Sequence, residues 1–164
     1  MRIIAVLVFV MSCIASSGQV VISPYISTGY AHHLGRNGIN VELGIESEFF
    51  QRVDITLNYR YMNAEQEIKV SAISANISYV FINRDNHRLM LGPGFSGGNY
   101  KRSTGTPGYD KEYTSTWFDW CKIRYDYTLY DRFRLGLITS LYGDDGDGTF
   151  YVGFVAGFKL WNSL

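Results

Sequence analysis

Hydrolytic chemistry in this chain would have to be drawn from the neighbouring histidines His32 and His33 and from Ser71, Ser96, Ser103 and Ser115. A serine becomes a nucleophile when a histidine within hydrogen-bond reach takes its proton and a carboxylate holds that histidine in place. No spacing ties these serines to either histidine, and the pair reads as polar histidines at the end of a strand. The run Asp144-Asp145-Gly146-Asp147-Gly148 offers oxygen ligands to a calcium ion. Asp and Gly are also the residues of tight turns, and the downstream glutamate of an EF-hand is missing. No glycine-rich phosphate loop and no zinc-ligand spacing occurs. The sequence therefore assigns no catalytic residue, no metal site and no cofactor.

What is spaced regularly is charge. Glu42, Glu46, Glu48, Asp54, Arg60, Arg88, Lys122, Arg124, Asp126, Arg134 and Lys159 all fall on the polar phase of segments that alternate with apolar residues. In Val53-Asp54-Ile55-Thr56-Leu57-Asn58-Tyr59-Arg60-Tyr61, odd positions are apolar and even positions polar. Ile39, Val41, Leu43 and Ile45 alternate with Asn40, Glu42, Gly44 and Glu46. Near the end, Phe150, Val152, Phe154, Ala156, Phe158 and Leu160 share one face, and Tyr151, Gly153, Val155, Gly157 and Lys159 the other. A period of two is that of strands with one apolar and one polar face. No stretch after Gln19 sustains a helical period.

Eight such segments are expected, over 20–31, 39–50, 53–63, 67–81, 87–98, 116–129, 133–143 and 149–161. Consecutive strands that neighbour one another form an antiparallel meander. The second, fourth and sixth connections are short: Gln51-Arg52, Ile82 to Asn86, and Tyr130 to Arg132. The first, Ala31 to Gly38, is moderate, and the third, near Asn63 to Glu67, is ambiguous. The seventh is short and rich in Gly and Asp, and the fifth, Asn99 to Ser115, is long and polar. Tight turns at one end and larger polar loops at the other suit a transmembrane barrel.

The first residues have a different character. Arg2, the apolar run Ile3 to Val10 and the small residues up to Gly18 are the three parts of a secretory signal. The run is shorter than the roughly 20 apolar residues a spanning helix needs. Residues 1–18 are accordingly read as a signal peptide and 19–164 as one barrel domain. Cys13 admits a lipoprotein reading, but Val10-Met11-Ser12 departs from the usual Leu-small-small pattern, and ordinary cleavage fits better. Cleavage leaves Cys121 alone, so the mature domain has no internal disulfide. Lys and Arg number 15, as do Asp and Glu, so net charge makes no electrostatic case for nucleic acid as a partner.

Alternation does not say which face is inside. In a soluble barrel the apolar face points inward; in a membrane barrel it points outward. Aromatic placement separates the two. With the N-terminus on the periplasmic side, Phe49, Phe50, Tyr79, Phe81, Tyr125, Tyr127, Phe158 and Trp161 fall near one rim. Tyr59, Tyr61, Phe95, Trp117, Tyr142 and Phe150 fall near the other. Two aromatic belts around an aliphatic band match the two interfaces of a bilayer. Charges on the opposite face would then pair across a narrow lumen, with Glu46–Arg60 and Glu42–Arg124 as candidate pairs.

The signal sequence, the eight alternating segments and the closing strand Phe154-Val155-Ala156-Gly157-Phe158-Lys159-Leu160-Trp161 resemble the small outer-membrane β-barrel proteins of Gram-negative bacteria. The resemblance spans the mature chain. It implies an all-β, antiparallel up-and-down barrel of about eight strands, outer-membrane lipid as surroundings, and a last strand that resembles an assembly signal. This chain departs by adding Asn162-Ser163-Leu164 after Trp161. Some members of that group modify lipid A with Ser and His near the outer rim, but the His-x-Ser signature of the deacylase type is missing.

The expected function is thus a structural or surface-interaction barrel with a charge-plugged lumen, neither an enzyme nor a nucleic-acid binder. Its contact groups would be Tyr100, Lys101, Arg102, Tyr109, Lys111 and Tyr113 in the fifth connection, suited to an unidentified surface partner or a glycan. The alternatives are a lipid-modifying enzyme with a rim site and a soluble, lipocalin-like barrel holding an apolar ligand.

Overall fold

The computed structural model describes residues 20–49, 52–65, 68–102, 111–144 and 147–162. The expected signal peptide and Cys13 lie outside the described residues. Eight long strands follow one another: β1 (Val20–His33), β2 (Arg36–Phe49), β3 (Val53–Ala64), β4 (Ile68–Arg84), β5 (His87–Arg102), β6 (Lys111–Leu129), β7 (Phe133–Asp144) and β8 (Asp147–Phe158). A two-residue β9 (Trp161–Asn162) completes the set. Each of the eight long strands pairs antiparallel with its chain neighbours, and β1 pairs with both β2 and β8, so the sheet closes into a barrel. Closure removes the open sheet edge that a membrane cannot accommodate. Beyond Phe158 the chain shifts, and β9 prolongs the seam through Ile22↔Trp161 and Val21↔Asn162.

The connections differ from the sequence expectation at what is here termed the distal end, opposite Val20 and Asn162. The first is two residues, with Leu34 at φ 49° and Gly35 at φ 76°. Positive φ at both central residues is the hairpin turn that matches strand twist. The fifth is mostly ladder: β5 and β6 stay in register out to Arg102↔Lys111, leaving 103–110 outside the described residues, Tyr109 among them. Of the Asp/Gly run, Asp144 pairs with Asp147 in the β7–β8 ladder, and 145–146 lie outside the described residues. At 16 and 19 residues, β5 and β6 exceed the 9–11 residues a tilted strand needs to cross a bilayer.

Side chains alternate along most of each long strand, and the polarity is inverted relative to a soluble protein. Ile39, Ile73, Ile77 and Phe154 are 64, 62, 59 and 72% exposed on the outer surface, while Glu42 and Arg60 are fully buried inside. A lipocalin-type barrel needs the reverse arrangement, and this finding overturns that alternative.

Three irregularities break the alternation, at Val80/Ile82, Gly92/Gly94 and Asp119/Cys121. The last two face each other: Pro93 on β5 stands opposite the pair Trp120-Cys121 on β6. Proline cannot donate to the ladder, so a bulge is where a strand tolerates it. The extra residue flips the phase of β6. Trp117 therefore points inward instead of joining the rim belt, and Phe118 and Trp120 are exposed in its place. Tyr142 is also inside, in phase with Arg134, Ile138 and Ser140 on β7. Phe49 is buried at the other end rather than exposed on a rim, and Phe50 lies outside the described residues.

Candidate functional site

The interior is built in tiers. Nearest the chain termini, Glu46 on β2 accepts hydrogen bonds from three guanidiniums: Arg88 and Arg134 on one oxygen, Arg124 on the other at 2.7 Å. These arrive from β5, β7 and β6, so one carboxylate ties together strands on opposite sides of the barrel. Glu48 stands directly across the ladder from Asp54, a like-charge pair that is unfavourable alone. Arg88 resolves it, binding Asp54 and lying 3.3 Å from Glu48. Arg124 also donates to Asp126 at 2.8 Å, and Arg134 lies 3.8 Å from the same residue. Lys159 is half-buried at this mouth. Arg88, Arg124, Arg134 and Lys159 thus face Glu46, Glu48, Asp54 and Asp126, four basic residues against four acidic ones.

The middle tier sets two basic residues against two acidic ones. Glu42 sits across the ladder from Arg60 and accepts its Nε–H at 2.9 Å, with Asn58 at 2.9 Å and Lys122 at 3.1 Å on the other oxygen. The far side of the Arg60 guanidinium meets Asp119 at 3.3 and 3.4 Å. Asp119 also accepts from Asn76 at 2.9 Å and Ser96 at 2.8 Å. Below it, Tyr25 lies across Gly44, where a Cβ would come within 2.6 Å of the ring. Its face then supports Arg124 at 4.8 Å and Lys122 at 5.6 Å, a cation–π contact each.

Sequence spacing misses Asp119, because strict alternation from Cys121 and Ile123 puts it outside; Pro93 on the neighbouring strand is the one hint of a bulge. Both candidate pairs are also corrected. Arg60 bonds Glu42 and Asp119, not Glu46, and Arg124 bonds Glu46 and Asp126, not Glu42. Register decides the first and barrel curvature the second. A double-mutant cycle tests the corrected pair: Glu42→Gln and Arg60→Gln should couple by about 0.5–3 kcal/mol, read from urea unfolding in vesicles, with the double variant less damaged than the sum.

Toward the distal end the interior loses its charge. Ala31, Met62, Val70, Ala72, Trp117 and Tyr151 are buried there. Tyr142 caps the charged tier, its ring centroid 3.8 Å from the Arg60 guanidinium carbon. Above it opens a cavity of about 480 Å³ lined by His33, Leu34, Val70, Tyr100, Arg102, Trp117 and Tyr142 among others. Tyr113 belongs to the same wall, 6.2 Å from Tyr100 centroid to centroid. Lys101 is exposed, and Lys111 stands opposite Arg102 in the ladder.

The residues considered for hydrolysis are scattered. His32 shares a hydrogen bond with Asn37 at 2.8 Å, and His33 with Thr149 at 2.5 Å. Ser71 bonds Tyr59 at 2.5 Å, Ser96 belongs to the Asp119 cluster, and Ser115 lines the distal cavity. Ser103 is outside the described residues. Among the described residues no group of His, Cys, Asp and Glu is placed to hold a metal ion. Cys121 is half-buried on the outward phase.

No family model matches the sequence, and no curated protein matches it. Solved structures do. Neisserial surface protein A superposes with a TM-score of 0.68 at 14% identity, over 88% of this chain and 98% of that one. The fold is that of the small eight-stranded outer-membrane β-barrels. The N-terminal β-barrel domain of Pseudomonas aeruginosa OprF follows at 0.60 and 16%, over 87% and 98%. Ail, the attachment invasion locus protein of Yersinia pestis, gives 0.53 and 14%, over 87% and 99%. At such identities the outer-membrane-barrel fold alone is what is shared.

Proposed function

We propose that the protein is an outer-membrane barrel with a structural or surface-interaction role, non-enzymatic, its lumen plugged by the two charged tiers. The observation that carries this is the inverted polarity: a broad aliphatic outer surface around an interior of paired charges. Water would not support that surface, and lipid would. Eight strands leave an interior that side chains just fill, and here they fill it with arginines and carboxylates, so passive conduction is disfavoured. The distal extension of β5 and β6 carries Tyr100, Lys101, Arg102, Lys111 and Tyr113 beyond the span a bilayer requires, which suits contact with a surface partner or a glycan.

Cysteine labelling tests the membrane reading. In a Cys121→Ala background, Leu57→Cys should react with a lipid-soluble maleimide and Arg124→Cys should not. The opposite pattern sinks the assignment of faces. Vesicles carrying the refolded protein should retain a small trapped dye, and leakage above empty vesicles would sink the plugged lumen.

A further inference from the structure

The distal cup is unlike the rest of the barrel interior, and three features bear on what it holds. Its volume of about 480 Å³ falls within the roughly 300–1,000 Å³ of small-molecule sites. Its walls are rings and aliphatic groups, namely Tyr100, Tyr113, Trp117, Tyr142, Val70 and Leu34, which suit a flat apolar body. Among the described residues no carboxylate lines it, whereas Arg102 does. A guanidinium fork at an apolar lip suits an anionic group on a ligand.

Leu34 is a second pointer. It occupies the first position of the β1–β2 turn at φ 49°, where Asn or Asp before Gly is the favoured choice. A leucine there is strained, and it remains 40% exposed at the lip of the cup. Neither turn geometry nor burial within the barrel favours leucine at this position. Contact with an apolar ligand does.

We propose that the distal cup binds a small ring-bearing anion, its rings against Leu34, Tyr100 and Trp117 and its charge on Arg102. The Tyr142 ring forms the floor, held from beneath by Arg60, so the ligand enters and leaves from the same aqueous side. The site does not depend on which end of the barrel faces the cell exterior.

The test is a titration of the ¹⁵N-labelled full-length mature protein in phospholipid nanodiscs, which leave both mouths open. The probes are 2-naphthoate and the neutral 2-naphthalenemethanol, and the readout is the indole N–H resonance of Trp117, identified by its loss in Trp117→Phe. Naphthoate should shift that resonance saturably and bind more tightly than the alcohol. Arg102→Gln should weaken naphthoate about tenfold, the loss of one modest ion pair, and leave the alcohol unchanged; Arg102→Lys should restore most of the affinity. Leu34→Asn, which relieves the turn, should bind both probes more weakly while unfolding at higher temperature. The proposal is overturned if the shift does not saturate, if only the lipid-facing Trp120 responds, if the alcohol matches naphthoate, or if both variants bind as wild type does.

Discussion

Glu46→Gln should destabilise the barrel by about 3–5 kcal/mol, the cost of leaving buried charge without its partner. The expectation is at the upper end because this one carboxylate answers Arg88, Arg124 and Arg134 together. Glutamine keeps the shape and supplies one neutral acceptor, so the three guanidiniums would crowd a site whose remaining acidic residues, Glu48, Asp54 and Asp126, are already engaged. Urea unfolding of vesicle-refolded protein, followed by tryptophan fluorescence, measures the loss. A milder second change is informative: Glu46→Gln with Arg134→Gln should recover part of the stability, since one cation is removed along with the anion. A loss below about 1 kcal/mol in the single variant, the worth of an exposed ion pair, would mean that water reaches the lower tier and that the lumen is not plugged there.

Leu57→Arg should cost about 2–4 kcal/mol, the penalty for a cation on the lipid face near the bilayer midplane. Leu57 sits halfway along β3, between Ile45 on β2 and Ala75 on β4, with its side chain on the outer surface. Ile39→Arg, close to the distal turn, should cost far less, because a long cationic side chain near an interface extends its head to water. The same titration in vesicles reads both. Equal and small penalties at the two positions would indicate a surface bathed in water, and the membrane assignment would fail with them.

The two expectations rest on information of different origin. That Leu57 and Asn58 face opposite ways follows from the alternation in Val53 to Tyr61 alone, since side chains on a strand have a period of two. The approximate extent of each strand was legible in the same way, though ladders ran further than spacing suggested at Arg102 and Lys111. Polar residues such as Asn99 and Thr114 look like loop, yet they pair across the hairpin because a ladder is satisfied by backbone groups whatever the side chain.

By itself the sequence determined an all-β chain with one apolar and one charged phase per strand, and it placed most of the interior charges on the correct phase. Only the tertiary structure decided how they meet. The bulge at Trp120-Cys121 is a local register change that no periodicity reports, and it alone brings Asp119 to Arg60 and Trp117 to the distal cup. The three arginines on Glu46 come from strands 42 to 88 residues away in the chain, and nothing in spacing relates positions that far apart. Closing the sheet does, because it sets side chains of the same phase and height across a lumen only wide enough for them to touch.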